Sequence, residues 1–470
     1  MEERLVDVAI IGSGTAGLNA MGQIRRAGKS FVLINGGEAG TTCARVGCMP
    51  SKALIQVAED YHKGTHLRRY GVSGGAELRL DTSVVLEYVR HIRDTLVDRV
   101  LTNSTDGMTP EVFIEDYARL LEPTLIEVGG QRIRTRAIVI ATGSRPLVPE
   151  AWRAFGDRLI TSDSIFELET LPATLAVIGL GVIGLELGQS LARLGVEVTG
   201  FDQLDTIGSI ADPEVLAQAK AILSKDFPLH LGQAARIEED GDKLRVSAGD
   251  QSVRVDRVLC CIGREPNVEG LGLECLGLPL DHRGLPPFDN RTLQIGDLPV
   301  YIAGDVDGER PILHEAGDEG KIAGFNAAQG GNTAFRRKVP IAINFCDPNI
   351  CAIGARFSEL DPATTAIGQI NFAPVGRALV MGQTQGLVRL YGDRASGRLL
   401  GAEMIGPKGE NLAHLICWSI ELGLTAGQML RLPFYHPVIE EALQAALYDL
   451  YRQVDTKNRG GLLELEQMED

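Results

Sequence analysis

The sequence predicts an α/β protein with two Rossmann-like nucleotide-binding domains and a C-terminal α+β domain. Three observations predict it. A strand–glycine turn–helix–strand pattern spans Val6–Ile34 and returns over Leu175–Phe201. From about Val339 the pattern changes to strands mixed with two helices. The length of 470 residues exceeds one simple core and suits about three domains.

Taken in order, Val6–Ile11 is a short apolar strand. Gly12-Ser13-Gly14-Thr15-Ala16-Gly17 follows, then a helix to about Ala27 and a strand at Phe31–Ile34. Glycines so placed allow a tight turn and close backbone approach to a pyrophosphate at the helix N-terminus. An acid is expected after the second strand. Asn35 stands there instead, able to bond ribose hydroxyls as donor and acceptor but carrying no charge.

The segment Gly40–Lys52, GTTCARVGCMPSK, comes next. Cys43 and Cys48 have four residues between them, a rise of about 7.5 Å in a regular helix. A disulfide needs Cα atoms closer than about 7 Å. If the two bridge, the backbone between them is therefore not a regular helix. Pro50 is expected to keep this turn distorted, and Ser51–Lys63 reads as a helix beyond it. A helix N-terminus stabilises thiolates. Alone, the segment admits a redox pair, two buried thiols or half of a zinc site, with no second cysteine pair nearby to complete the last.

Leu80–Leu101 carries Val85, Val89, Ile92 and Leu96 at helical spacing and reads as an amphipathic helix. Short strands follow at Glu111–Tyr117, Leu125–Val128 and Ala137–Ala141, the last ending in the turn Thr142-Gly143-Ser144-Arg145-Pro146. Then the first pattern repeats. Leu175–Ile178 is a strand, Gly179-Leu180-Gly181-Val182-Ile183-Gly184 a turn, a helix reaches Arg193, and Val196–Phe201 is a strand. Asp202 closes it, 23 positions after Gly179. An acid there accepts from a ribose 2′-hydroxyl and selects NAD. No Lys or Arg occurs in Gln203–Ala219 to receive a 2′-phosphate.

Val258–Ile262 is a strand whose Cys260 and Cys261 read as small buried hydrophobes. Val300–Ala303 precedes Gly304-Asp305. Beyond Val339, strands are expected at Ile341–Phe345, Gly386–Tyr391 and Leu399–Ile405, and helices at Asn411–Leu422 and Pro437–Gln453. The acidic end, Leu463–Asp470, is expected to fray.

A net charge of -16 argues against nonspecific nucleic-acid binding. No signal peptide is visible, since a strand begins at Leu5. The longest apolar run, Leu175–Leu187, is broken by glycines and carries Glu186, so no membrane span is expected. A cytoplasmic protein is expected. In such a chain eight cysteines point to a redox or catalytic pair rather than a disulfide framework. His62 and His66 lie four apart at a helix end without a third ligand, so no metal site is expected.

GTTCARVGCMPSK resembles the redox-active segment of the FAD-dependent pyridine nucleotide–disulfide oxidoreductases, and within them the dihydrolipoamide dehydrogenase branch most. The likeness extends through GSGTAG, ATGSRP, GLGVIGLE, CIGREPN, YIAGDV, LHEAG and FYHPVIEE, in that order along nearly the whole chain. It implies a homodimer whose active site joins a Cys43–Cys48 redox disulfide of one subunit to His436 of the other, with Glu441 partnering that histidine. It implies FAD on Gly12, Gly14, Gly17, Asn35, Thr42, Lys52, Thr142, Gly143, Asp305 and Ala316. NAD is implied on Gly179, Gly181, Gly184, Glu186, Asp202 and Gly263, with Lys52 and Glu186 forming an ion pair beside the flavin ring. The expected division is 1–149 and a return segment 269–338 for FAD, 150–268 for NAD, and 339–470 for dimerisation.

The implied reaction oxidises dihydrolipoamide, free or on a lipoyl domain, with NAD+ as acceptor. Two other readings stand beside it: an NADH-dependent reductase of another small or protein disulfide, and a docking subunit of a larger complex. Asn35, Thr41 in place of a glycine, Phe434-Tyr435 beside His436, and Gly406–Glu410 depart from the family pattern.

Overall fold

The computed structural model describes residues 3–455 and 463–465, so most of the acidic end lies outside the described residues. The first glycine unit builds a seven-stranded sheet. Its order is Phe113–Ile114, Phe31–Ile34, Arg4–Ile11, Gln131–Ile140, Leu125–Val128 and Arg119–Glu122, and Val300–Ile302 also pairs with Gln131–Ile140. Arg4–Ile11 is parallel to both neighbours, with Ile10 opposite Leu33 on one side and Val139 on the other. All three side chains are buried. A parallel strand covered on both faces reads as an unbroken apolar run, which is why VDVAII was legible.

The second unit repeats this in a five-stranded parallel sheet ordered Leu229–His230, Glu197–Phe201, Thr174–Ile178, Arg257–Cys260 and Leu159–Ile160. A three-stranded antiparallel sheet, Arg236–Asp240, Lys243–Ala248 and Gln251–Val255, accompanies it. The C-terminal part is a five-stranded antiparallel sheet ordered Ile341–Asn344, Asn349–Gly354, Leu399–Gly406, Leu387–Asp393 and Thr365–Asn371. The helices Gly409–Glu421 and Glu441–Arg452 pack on it. No helix among the described residues is long and apolar enough to cross a membrane.

Two expectations about proline are corrected. The cysteine helix runs Cys48–His66, so Pro50 is its third residue. An N–H missing in the first turn has no intrahelical acceptor to lose, so Pro50 fits the helix instead of distorting it. The break between the cysteines comes earlier, at Val46-Gly47, where the short helix Thr42–Arg45 ends. The last helix begins at Glu441, four residues after Pro437. The strand Arg236–Asp240 carries mostly polar residues outside the core, and Arg119–Glu122 buries only Leu120 in four residues, so neither gave an apolar pattern to read.

Two helices position the first turn. Thr15–Arg26 crosses Leu313–Gln329 at close range, with Ala16 and Ala20 against Gly320 and Gly324. A Cβ at Gly320 would stand 2.1 Å from the Ala16 carbonyl oxygen, and one at Gly324 would stand 2.5 Å from that of Ala20. The small faces bring the Gly304-Asp305 turn onto the first helix, with a Cβ at Gly304 falling 2.8 Å from Ala16 Cβ.

The chain passes from the first unit to the second and back through one ribbon. Ser144–Pro146 pairs antiparallel with Arg264–Pro266. Side chains tie the second unit to the C-terminal sheet. Asp212, fully buried, receives the Tyr391 hydroxyl at 2.8 Å and pairs with Arg389 at 3.0 Å. Arg193 bridges Asp226 and Asp347 at 3.4 and 2.8 Å.

Candidate active site

The two glycine turns have the same construction. Gly12 and Gly179 take φ of 110° and 94°, where a side chain is strained. A Cβ on either would also strike backbone, 2.1 Å from Ala141 oxygen or 2.3 Å from Cys261 oxygen. Gly17 and Gly184 each hold helix to turn, a Cβ on them falling 1.9 Å from the Gly12 or Gly179 carbonyl oxygen. Gly14 and Gly181 differ: each caps its helix, and a Cβ there would meet nothing within 4 Å. That open cradle at a helix N-terminus fits a pyrophosphate.

The residues after the second strands close back on the turns. Asp202 accepts from the Leu180 and Leu204 N–H groups at 2.7 and 2.9 Å. Asn35 accepts from Ser13 N–H at 3.4 Å and donates to the Gly37 carbonyl at 2.5 Å. Around the first turn gather Thr142, Gly143, Asp305 and Ala316. Thr142 Oγ1 is buried with no hydrogen-bond partner, an orphan that a bound cofactor would satisfy. Gly143 has φ of 70° and accepts from Asn267 N–H. Asp305 accepts from Ser144 Oγ at 3.1 Å, and Ala316 lies buried beside Gly304. Gly263, at φ of 136°, follows Cys261-Ile262 against the second turn. The chemistry of these groups fits a dinucleotide at each turn.

The sulfur pair lies at the start of the helix Cys48–His66, which packs against the helix Val182–Arg193 that follows the second turn. Thr41, at φ 63° and ψ 143°, caps the short helix Thr42–Arg45 by accepting from Ala44 N–H at 3.3 Å. That backbone region favours glycine, which explains why the family pattern has one there. Gly47 lets the cysteine turns approach, since a Cβ on it would lie 2.9 Å from Thr42 oxygen and 3.2 Å from Cys43 Cα. Cys43 and Cys48 are both free thiols, and each is the foremost influence on the acidity of the other. Cys43's hydrogen bond holds the Cys48 thiol down to about 7, with help from the nearby Lys52 charge and against the effect of burial. The same bond, together with burial, pushes Cys43 up. Cys48 is also the first residue of its helix, where the dipole favours an anion.

Lys52, one turn on, pairs with Glu186 of the second unit at 2.8 Å, as the resemblance implied. Glu186 is nearly buried, and its other oxygen accepts from Phe345 N–H at 2.8 Å. The Phe345 ring faces the Lys52 ammonium at 4.7 Å. Phe345 was not foreseen; 159 residues separate it from Glu186, and a lone aromatic at a strand end gives no signal of such a contact.

His436 Nδ1 and Glu441 Oε1 lie 2.8 Å apart, and Glu441 also accepts from Val438 N–H at 3.2 Å. The His436 bond holds the Glu441 carboxyl below its ordinary range. His436 is 78% exposed, and no hydrogen bond among the described residues joins it to either cysteine of the same chain. Cys260 and Cys261 are far from this chemistry in character, since burial pushes both thiols up. His62 and His66 bond to one another at 3.1 Å, and no group of three or more metal-binding side chains occurs among the described residues.

Two dinucleotide cradles and a thiol pair in one chain define a class: enzymes that move electrons between a nicotinamide nucleotide and sulfur through a second nucleotide cofactor. The chain belongs to the pyridine nucleotide-disulphide oxidoreductase family. Residues 6–320 match its main module and 340–447 its dimerisation domain. FAD and NAD(H) are the cofactors of this family. Among curated relatives, a dihydrolipoyl dehydrogenase of Thermus scotoductus is 32% identical, over 95% of this chain and 98% of its own. One of Haloferax volcanii is 30% identical, over 96% and 98%. A mercuric reductase of Streptomyces lividans is 30% identical, over 94% and 95%. Among solved structures, the flavoprotein disulfide reductase RclA of Escherichia coli superposes with a TM-score of 0.83 at 22% identity, over 95% of this chain and 99% of that one. LpdA of Mycobacterium tuberculosis gives 0.83 at 21%, over 94% and 99%. These structures share the fold.

Proposed function

We propose that this chain is an NAD-dependent dihydrolipoamide dehydrogenase working as a cytoplasmic homodimer. The observation that carries the reading is the pair of free thiols Cys43 and Cys48, the second at a helix N-terminus one turn from the Lys52–Glu186 ion pair. The full-length likeness to dihydrolipoyl dehydrogenases of a bacterium and an archaeon supports the substrate. The reading divides the chain at 149, 268 and 338, as the sequence suggested, with 339–470 making the subunit contact.

FAD would be held by the first cradle, Thr142, Asp305 and Lys52, and NAD by the second cradle and Asp202. A bound flavin supplies two-electron relay between sulfur and nicotinamide. The chain's own residues handle the sulfur chemistry. His436 of the partner subunit takes the proton from a dihydrolipoyl thiol, and Glu441 holds its ring through Nδ1, leaving Nε2 as the base. The substrate thiolate attacks Cys43 Sγ, the Cys43–Cys48 bond breaks, and Cys48 leaves as thiolate. The second substrate thiol then displaces Cys43, closing lipoamide and leaving both cysteines reduced. Lys52 stabilises the negative charge on Cys48.

Cys48→Ser tests the reading. Lipoamide turnover is expected to vanish while flavin absorbance stays, and full turnover would remove the cysteines from the mechanism. A substrate panel with NADH then separates the branches: lipoamide is expected to lead other disulfides by about tenfold or more. A chain that captures partner proteins yet reduces no disulfide would be the docking subunit instead.

A further inference from the structure

The sheet edge that carries Asn35 also carries an aromatic residue with no assigned role. Phe31–Ile34 and Phe113–Ile114 are parallel, with Ile34 opposite Ile114, and Asn35 N–H donates to Ile114 oxygen at 2.9 Å. The two chains therefore leave the sheet side by side at its C-terminal edge, where open α/β sheets bind ligands. Tyr117 follows three residues after Ile114, and its ring lies against Gly36. A Cβ on Gly36 would fall 2.4, 2.6 and 2.8 Å from ring atoms Cδ1, Cγ and Cε1. Gly36 is absent from the glycines of positive φ, so the ring rather than the backbone demands glycine there. Tyr117 is nonetheless 79% exposed, and its hydroxyl makes no hydrogen bond among the described residues.

Asn35 marks the ribose position of the first dinucleotide site, and the adenine comes next outward. Asn35 brings no charge, and both ends of its amide are engaged, with Ser13 and Gly37. The adenosine half therefore lacks the usual anchor. We propose that Tyr117 replaces it, as the platform on which the adenine of FAD stacks beside Gly36 and Gly37. Gly37 is exposed and a Cβ on it would meet nothing within 4 Å, which leaves room for a purine. Stacking needs only a π-face and no charge, so it compensates for the missing carboxylate by a different force.

The proposal rests on FAD occupying the first glycine turn. The test is equilibrium dialysis of the holoprotein against FAD and, separately, against FMN, which lacks adenosine. Tyr117→Ala is expected to weaken FAD binding about tenfold or more while FMN binding stays within about twofold of the parent. Tyr117→Trp, which keeps a stacking face, is expected to retain FAD within about threefold. Unchanged FAD affinity in Tyr117→Ala, or equal loss of FAD and FMN, would overturn the proposal. Gly14→Val and Gly181→Val check the footing, since each fills one open cradle. Loss of FAD in the second variant but not the first would overturn the placement of FAD, and the role of Tyr117 with it.

Discussion

Cys48 gains its acidity from a neighbour five residues away, and that dependence is measurable. In the reduced protein the iodoacetamide alkylation rate at Cys48 is expected to rise with pH through about 7, as thiolate forms. Cys43→Ala removes the first cause of that shift, so the midpoint is expected to move up toward the ordinary thiol range near 9.0. An unmoved midpoint would mean that the sulfurs do not share the proton. At this scale the sequence was informative where a residue type carries chemistry by itself. Cys43, Cys48, Asn35 and Asp202 were legible from identity and spacing. Phe345 was not, because its role comes from a contact across 159 residues. Thr41 was visible as a departure, but the reason for it is a φ of 63°, which no residue list displays.

Helix against helix, the fold depends on missing side chains and on one charged contact. Gly320→Leu would drive atoms into the Ala16 carbonyl, separating Thr15–Arg26 from Leu313–Gln329. A loss of about 3 kcal/mol or more in urea unfolding is expected, with lower flavin content. Lys52→Met leaves Glu186 nearly buried without its counter-charge. That variant is expected to lose about 3–5 kcal/mol, and the double variant Lys52→Met/Glu186→Leu should recover most of it. A double variant as unstable as the single would point to packing instead. The glycine turns and apolar strands of both units were legible because their pattern is local. Helix starts at Cys48 and Glu441 were not, because a proline in a first turn and a proline before a helix look alike in sequence.

For the whole molecule, the pairing of subunits is what completes the proposed chemistry. A mixture of Cys43→Ser and His436→Ala chains, refolded together, is expected to regain about a quarter of parental turnover, since half the dimers carry one intact site of two. No regain would place the base elsewhere. Stability should also depend on pH through a buried pair. Burial, and then the Glu319 charge, raise the Asp307 carboxyl from 3.8 to about 7. Between those values the unfolded chain releases a proton that the folded chain keeps, so this residue makes stability fall as pH rises toward 7. Asp307→Asn is expected to flatten that slope in thermal melts at pH 5 and pH 8.

The ribbon of Ser144–Pro146 and Arg264–Pro266 has an architectural consequence. Leu147 N–H bonds to the Gly263 carbonyl at 3.0 Å, so about a quarter of the chain enters and exits at neighbouring points. Both covalent links of this unit pass through one doorway, so a foreign module with equally close ends leaves the host sheet's threading intact and forfeits side-chain ties such as those at Glu186, Arg193 and Asp212.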